Sequence, residues 1–149
     1  EKEGAELMRA EVIEEFLRAV DKSFPVALSE KQDLHEFSKK LHTRATVCAE
    51  ENGGKILSMV CGYTDNVIEN RGYISVVATR KEAEGRGYAK KLVGEFLEIA
   101  RKKGLSAVHL YAAPENTRAV GMYKSMGFSE WKPKNEPRPG DMHLIYVFG

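Results

Sequence analysis

The sequence predicts an α/β fold of the α+β kind, with a mixed central sheet flanked by helices in one domain over residues 1–149. Three features predict it. Two amphipathic helical stretches come first, a β-hairpin signal follows at Asn52-Gly53-Gly54, and a strand-helix-strand unit then has its helix opening at the glycine pair Gly85 and Gly87. A hairpin pairs its strands antiparallel, whereas a strand-helix-strand crossover is right-handed and leaves its strands parallel, so the sheet is mixed.

The elements follow in order. Between Ala5 and Val20 the residues Leu7, Val12, Ile13, Phe16, Leu17 and Val20 recur at helical spacing. Phe24-Pro25 breaks that helix, and Ser29-Glu30-Lys31-Gln32 reads as a capping box opening a second one, with Leu34, Phe37 and Leu41 on one face. "ATVCAEE" and "KILSMVCGY" are the hairpin strands. After the polar stretch "TDNVIENRG", Tyr73 to Thr79 is apolar and β-branched enough for a central strand. The next helix buries Ala89, Leu92, Val93, Phe96, Leu97 and Ala100 and stops near Gly104. "SAVHLYA" is a strand with Val108, Leu110 and Ala112 on one face and His109 and Tyr111 on the other. Asn116 to Met126 is a helix, and "DMHLIYVFG" closes the sheet after the proline-bearing loop "WKPKNEPRPGD".

Composition narrows function. With 23 Lys plus Arg against 22 Asp plus Glu the net charge is +1, which gives no ground for bulk nucleic-acid binding or a polybasic membrane anchor. No stretch approaches the roughly 20 apolar residues of a membrane span, and "EKEGAELMRA" lacks the apolar core of a signal peptide, so a cytoplasmic location is expected. Cys48 and Cys61, without a CxxC or a histidine pair, are expected as small buried hydrophobes, and no metal site is expected.

Gly85 and Gly87 sit where a helix should begin, although glycine adds roughly 1 kcal/mol of unfavourable helix propensity relative to alanine. A loop that leaves a strand and enters a helix presents free N–H groups beside the positive end of the helix dipole. The amides of Gly85 to Ala89 therefore suit two adjoining phosphates, with Arg86, Lys90 and Lys91 adding positive charge; the alternative is a plain turn into the helix. The stretch fits neither a Walker loop nor the Rossmann GxGxxG, since Lys90 stands where the third glycine belongs. In "LYAAPENTRAVGMYKSMGF", Asn116 and Tyr123 lie seven residues apart, so a helix sets them on one face with Ala119 between.

Together the two stretches resemble the GNAT superfamily of acyl-CoA-dependent N-acyltransferases. Its pyrophosphate loop reads Gln or Arg, two variable residues, Gly, one variable, then Gly or Ala. Here Glu84 departs from the first position, while Gly87, Tyr88 and Ala89 match the last three. The second signature, Asn then Ala, Tyr and Gly-Phe, is met by Asn116, Ala119, Tyr123 and Gly127-Phe128. The resemblance runs from about Ala45 to the end by element order and, more loosely, over the two helices before it; it also implies a strand ahead of the first helix, expected here to be absent or reduced.

What the resemblance implies is transfer of an acetyl group from acetyl-CoA, as co-substrate, to a primary amine by direct attack, without a metal. The strand at Tyr73 to Thr79 would splay from that at Ser106 to Ala112, letting backbone groups near Val77 and Thr79 pair with the pantetheine arm. Gly85, Arg86, Gly87, Tyr88, Ala89 and Asn116 would bind the rest of the cofactor, and Tyr123 would protonate the departing thiolate as general acid. The general base is open among His109, Tyr111, Glu115, Asp65, Glu69 and His143. A small amine or amino sugar is the expected acceptor, with a protein N-terminus or lysine as the other option, and a monomer or homodimer is expected. Two other classes stay open: an acyl-CoA sensor or inactive family member, and an interaction domain whose glycines only turn the chain.

Overall fold

In the computed structural model, which describes residues 2–149 and side chains from Arg9 onward, the chain opens with helix α1 (Lys2–Val20), short helix α2 (Leu28–Lys31) and helix α3 (Leu34–Arg44). Strands β1 (Thr46–Asn52), β2 (Lys55–Tyr63) and β3 (Arg71–Thr79) follow, then α4 (Tyr88–Lys102), β4 (Ala107–Ala112), α5 (Thr117–Ser125), β5 (Ser129–Glu130) and β6 (Met142–Val147). The strands make one six-stranded sheet in the order β1-β2-β3-β4-β6-β5, with β3 and β4 parallel and the other pairs antiparallel. Among the described residues no strand precedes α1.

Helices cover both faces. Leu92, Phe96 and Tyr123 of α4 and α5 bury against Val60, Val108, Leu110 and Leu144, while Phe16, Leu17 and Leu41 of α1 and α3 bury against Met59, Cys61 and Val76. The expected stripe on α1 is seen at Ile13, Phe16, Leu17 and Val20; Leu7 lies outside the described side chains. Cys48 and Cys61 are buried as expected, and desolvation pushes their thiols up to about 11 and about 12. Arg80 is buried at the end of β3, where its Nε donates to the Ile56 carbonyl at 2.7 Å and its guanidinium pairs with Glu15, tying α1 to the sheet.

The second helical segment departs from expectation. Ser29 caps nothing, because its N–H and Oγ both donate to the Asp21 carboxylate, at 2.8 and 2.6 Å. That contact holds α2 as a separate single turn, the chain extends at Gln32, and Asp33 starts α3 by accepting from the Glu36 N–H at 2.9 Å.

The pairing of β3 shapes the middle of the sheet. Cys61 pairs with Val76 but Gly62 with Ile74, so Ser75 is an extra residue on β3. Such a bulge bends its strand and increases the local twist. The bend needs glycine opposite, because a Cβ on Gly62 would lie 1.9 Å from the Tyr73 carbonyl oxygen. Beyond the bulge β3 leaves β4: the parallel ladder holds only Arg71 with Ala107, Gly72 with Val108 and Tyr73 with His109. On its other side β4 pairs with β6 along its whole length, from Ala107 to Ala112.

Gly62→Ala is therefore expected to lower stability by about 2–3 kcal/mol, since backbone must move to admit the methyl. Gly94→Ala, in open space on α4, should instead add about 0.5–1 kcal/mol. Urea denaturation of both variants checks the contrast.

Candidate active site

Where β3 and β4 part, each strand loses its neighbour along one edge. The Arg80 N–H donates to the Leu57 carbonyl of β2 at 2.8 Å, so by alternation Ala78 and Val76 also turn their backbone groups toward β2. Val77 and Thr79 then present N–H and C=O to the gap. Unpaired strand groups need partners, and an extended ligand carrying amides supplies them. A cleft of about 1000 Å³ follows the gap, and both residues line it.

At one end of the cleft α4 begins. Gly85 and Gly87 adopt φ of +80° and +78°, a left-handed conformation that strains any other residue, and the space beside each is open. Gly87 is the N-cap and supplies no side-chain acceptor, and no acidic residue stands in the first turn. The N–H groups at the start of α4, on Tyr88, Ala89 and Lys90, consequently have no partner within the helix. Gly85, Gly87, Tyr88, Ala89 and Lys90 all line the cleft, which suits an anion. Arg86 is not among the residues lining the cleft, and its guanidinium donates to the Glu82 carbonyl at 3.3 Å. Lys91 pairs with Glu50 at 3.3 Å, which leaves Lys90 as the expected lysine that reaches the cleft.

The opposite wall is α5. Asn116 is its N-cap, accepting from the Ala119 N–H at 3.3 Å, and Asn116, Ala119 and Tyr123 share the face that lines the cleft. Tyr123 is 5% exposed, and burial alone pushes its hydroxyl well above the usual phenol range, so it keeps its proton at any working pH. Its ring is held by the end of its own helix. The Phe128 N–H donates to the Tyr123 carbonyl at 3.0 Å and the Gly127 N–H to that of Lys124 at 3.1 Å, a Schellman cap that returns the Phe128 ring to 5.6 Å from Tyr123. The spacing from tyrosine to Gly-Phe is thus a helix stop that fixes the tyrosine.

Residues 9–128 match the acetyltransferase (GNAT) family. The chain belongs to the GNAT acetyltransferases. It is 40% identical over 60 residues to the mycothiol acetyltransferase of Renibacterium salmoninarum, a match covering 40% of this chain and 18% of that protein. It is 34% identical over 62 residues to N-alpha-acetyltransferase 30 of Schizosaccharomyces pombe, covering 42% and 41% of the two chains. The chain thus spans less than half the length of either relative. In fold it is similar to the PaiA N-acetyltransferase of Thermoplasma acidophilum, solved in complex with coenzyme A, with a TM-score of 0.70 at 12% identity over 95% of this chain and 94% of that one.

The residues weighed as general base in this GNAT chain divide clearly. Asp65 is bound to Lys103 at 3.0 Å and Glu69 to Arg71 at 2.8 Å, and neither lines the cleft. Glu115 and Tyr111 do line it. His109 and His143, on adjacent strands and the sheet face away from α4, are joined: His109 Nδ1 lies 2.8 Å from His143 Nε2. His143 Nδ1 in turn lies 2.8 Å from Oε2 of Glu136, a residue the sequence reading missed because it sits in the proline-bearing loop, where no periodicity marks a face. Burial, then His143 and Arg71, hold His109 down to about 4. Burial, then Glu136, pushes Tyr111 up to about 12. Among the described residues no group of three or more His, Cys, Asp or Glu side chains could hold a metal ion.

His109 carries a pH signature. Its folded pKa of about 4 lies below the ordinary 6.5, so below that ordinary value the unfolded chain binds a proton that the folded chain refuses. The stability from neutral His109 is complete above pH ~6.5 and is lost as pH falls toward about 4. Between pH 7 and 5 His109→Gln should lose less stability than the native chain, by on the order of 1 kcal/mol, in denaturation melts at the two pH values.

Proposed function

We propose that this chain, acting as a single domain, transfers the acetyl group of acetyl-CoA to a primary amine by direct attack, with Tyr123 as general acid and a small amine or amino sugar as acceptor. One observation carries the reading: a single cleft joins the free β3 edge, the uncapped start of α4 and the buried Tyr123 hydroxyl. The complex of a similarly folded acetyltransferase with coenzyme A supports it. The relative named for mycothiol acetylation supports a small-molecule acceptor.

Acetyl-CoA, when bound, supplies an acetyl group activated as a thioester. The amides of Gly85 to Ala89 hold its pyrophosphate, with no acidic residue in the first turn of α4 to oppose it. Val77 and Thr79 pair with the amides of the pantetheine arm, and an N–H near Val77 polarises the thioester carbonyl. Tyr123, protonated and held by its cap, gives its proton to the leaving sulfur. Near the parting strands the cleft is walled by Phe37, Tyr73 and Tyr111, where the acceptor amine is placed. An amine with pKa about 10.4 needs ~4.6 kcal/mol to reach its free-base form at pH 7, so the site gains from a proton acceptor.

Calorimetric titration with acetyl-CoA, desulfo-CoA and dephospho-CoA tests the cofactor; binding is expected, and none at millimolar ligand would overturn the reading. Tyr123→Phe should retain acetyl-CoA affinity and lose roughly 10²-fold or more of thiol release. Unchanged turnover where chemistry limits the rate would remove Tyr123 from the mechanism.

A further inference from the structure

We propose that Glu136, His143 and His109 form a relay that takes the proton from the acceptor's ammonium, with His109 Nε2 as the accepting atom; this rests on the acetyl-transfer reading above. The direction of the chain follows from what each group can donate. An ionised carboxylate only accepts, so the 2.8 Å contact requires His143 Nδ1 to carry a hydrogen. While His143 carries only that proton, its Nε2 is a lone pair, and the next 2.8 Å contact then requires a hydrogen on His109 Nδ1. The lone pair left over is on His109 Nε2. One carboxylate in a loop sets both tautomers.

That nitrogen is free and well placed. His109 Nε2 has no hydrogen-bond partner among the described residues and is not sealed from solvent, since Arg71 Nε is the buried side-chain polar atom left without one. His109 stands on the last rung before β3 and β4 part. Its ring centroid lies 5.1 Å from that of Tyr73 and 6.3 Å from that of Tyr111, and both tyrosines line the cleft. His143 and Glu136 line a second pocket of about 380 Å³ beneath the proline-bearing loop. His109 stands beside the Tyr73 and Tyr111 rings and is not itself among the residues lining the cleft, so an ammonium there reaches Nε2 across a water, and at its other end the relay meets the second pocket.

The charges around the pair explain why a relay is needed. Arg71 and Tyr73 face it from β3, Tyr111 from β4, His143 from β6, and Glu136, Arg138 and Asp141 from the loop and its end. Burial and the Arg71 guanidinium make a charged His109 unfavourable on its own. As Nε2 gains a proton, the Nδ1 proton passes to His143 Nε2, and the charge comes to rest on His143 against the Glu136 carboxylate. The balance closes. The ammonium gives one proton to the relay, and the nitrogen lone pair then forms the N–C bond as the C–S bond breaks. Tyr123 protonates sulfur and recovers a proton from that nitrogen, one proton per turnover leaves through His143, and both rings then return to their Nδ1–H tautomers for the next round.

The experiment is ¹⁵N NMR of histidine-labelled protein joined to kinetics. At neutral pH both rings are expected as Nδ1–H tautomers, and Glu136→Gln should mix the tautomers of His143 and His109 together. A proton found on His109 Nε2 would overturn the relay. In thiol-release assays with acetyl-CoA, His109→Gln should lose on the order of 10²-fold or more with phenethylamine, which is protonated at neutral pH, and little with 4-methylaniline, which is not. Glu136→Gln should lose less and shift the acid limb of the kcat/KM profile, with Glu136→Asp restoring part of it. Equal losses with both amines, or none with either, would sink the base role. Failure of acetyl-CoA to bind in calorimetry would remove acetyl transfer and with it the relay's substrate, whereas the ring tautomers test the hydrogen-bond chain itself, so the two failures are distinguishable.

Discussion

The architecture depends on one close approach, that of Gly62 to the Tyr73 carbonyl oxygen. It lets β3 carry an extra residue at Ser75, and the bulge turns the second half of β3 away from β4. An opened parallel pair would ordinarily close again, because free N–H and C=O groups gain by pairing. Here each strand is held from its outer side, β3 by β2 and β4 by six rungs of β6, so the V stays open. A strand edge that is otherwise a liability becomes a row of binding groups.

The same logic of unsatisfied groups governs the two helices at the cleft. α4 starts without a side-chain cap or an acidic first turn, which leaves its dipole and amides for an anion. α5 is closed at both ends, by Asn116 at the start and the Gly127-Phe128 stop at its end. An open helix start binds, while a fully capped helix holds its tyrosine still. The Asn116 carboxamide oxygen is committed to the Ala119 N–H, so its place in both signature and cleft follows from starting α5 at the right point.

Much of this was legible in the sequence because the signals were local. The hairpin turn, the glycine pair and the shared face of Asn116, Ala119 and Tyr123 each depend on residues within a few positions of one another, and all appear as read. What escaped depends on distant partners. Ser29 looked like a cap until Asp21 claimed both its donors, leaving Asp33 to start α3. The direction of the Arg86 side chain, which donates to the Glu82 carbonyl, likewise has no spelling in the glycine pair on either side of it. Glu136 gave no signal, since its importance lies in the return of a loop across β6 to His143. The splay of β3 from β4 was expected from resemblance alone; its cause, a contact between Gly62 and Tyr73 on neighbouring strands, has no sequence spelling.

Period-two alternation on β4 finally separates two tasks on one strand. Val108 and Leu110 point into the core under α4 and α5, while His109 and Tyr111 point to the opposite face. On that face α1 and α3 pack over β2 and β3, through Met59, Cys61, Val76 and Ala78. Around His109 the covering is instead a set of rings, with Tyr73, Trp131 and His143 centred within 6 Å of it and Tyr111 stacked on His143 at 4.1 Å. Rings exclude water as helices do, yet they leave nitrogen and oxygen atoms at their edges. A helix laid over β4 would have buried His109 and blocked the cleft. A bare strand would have left both histidines in water, each choosing its own tautomer. The aromatic cover lies between these limits, dry enough to make the direction of a hydrogen-bond chain matter and open enough for a proton to leave.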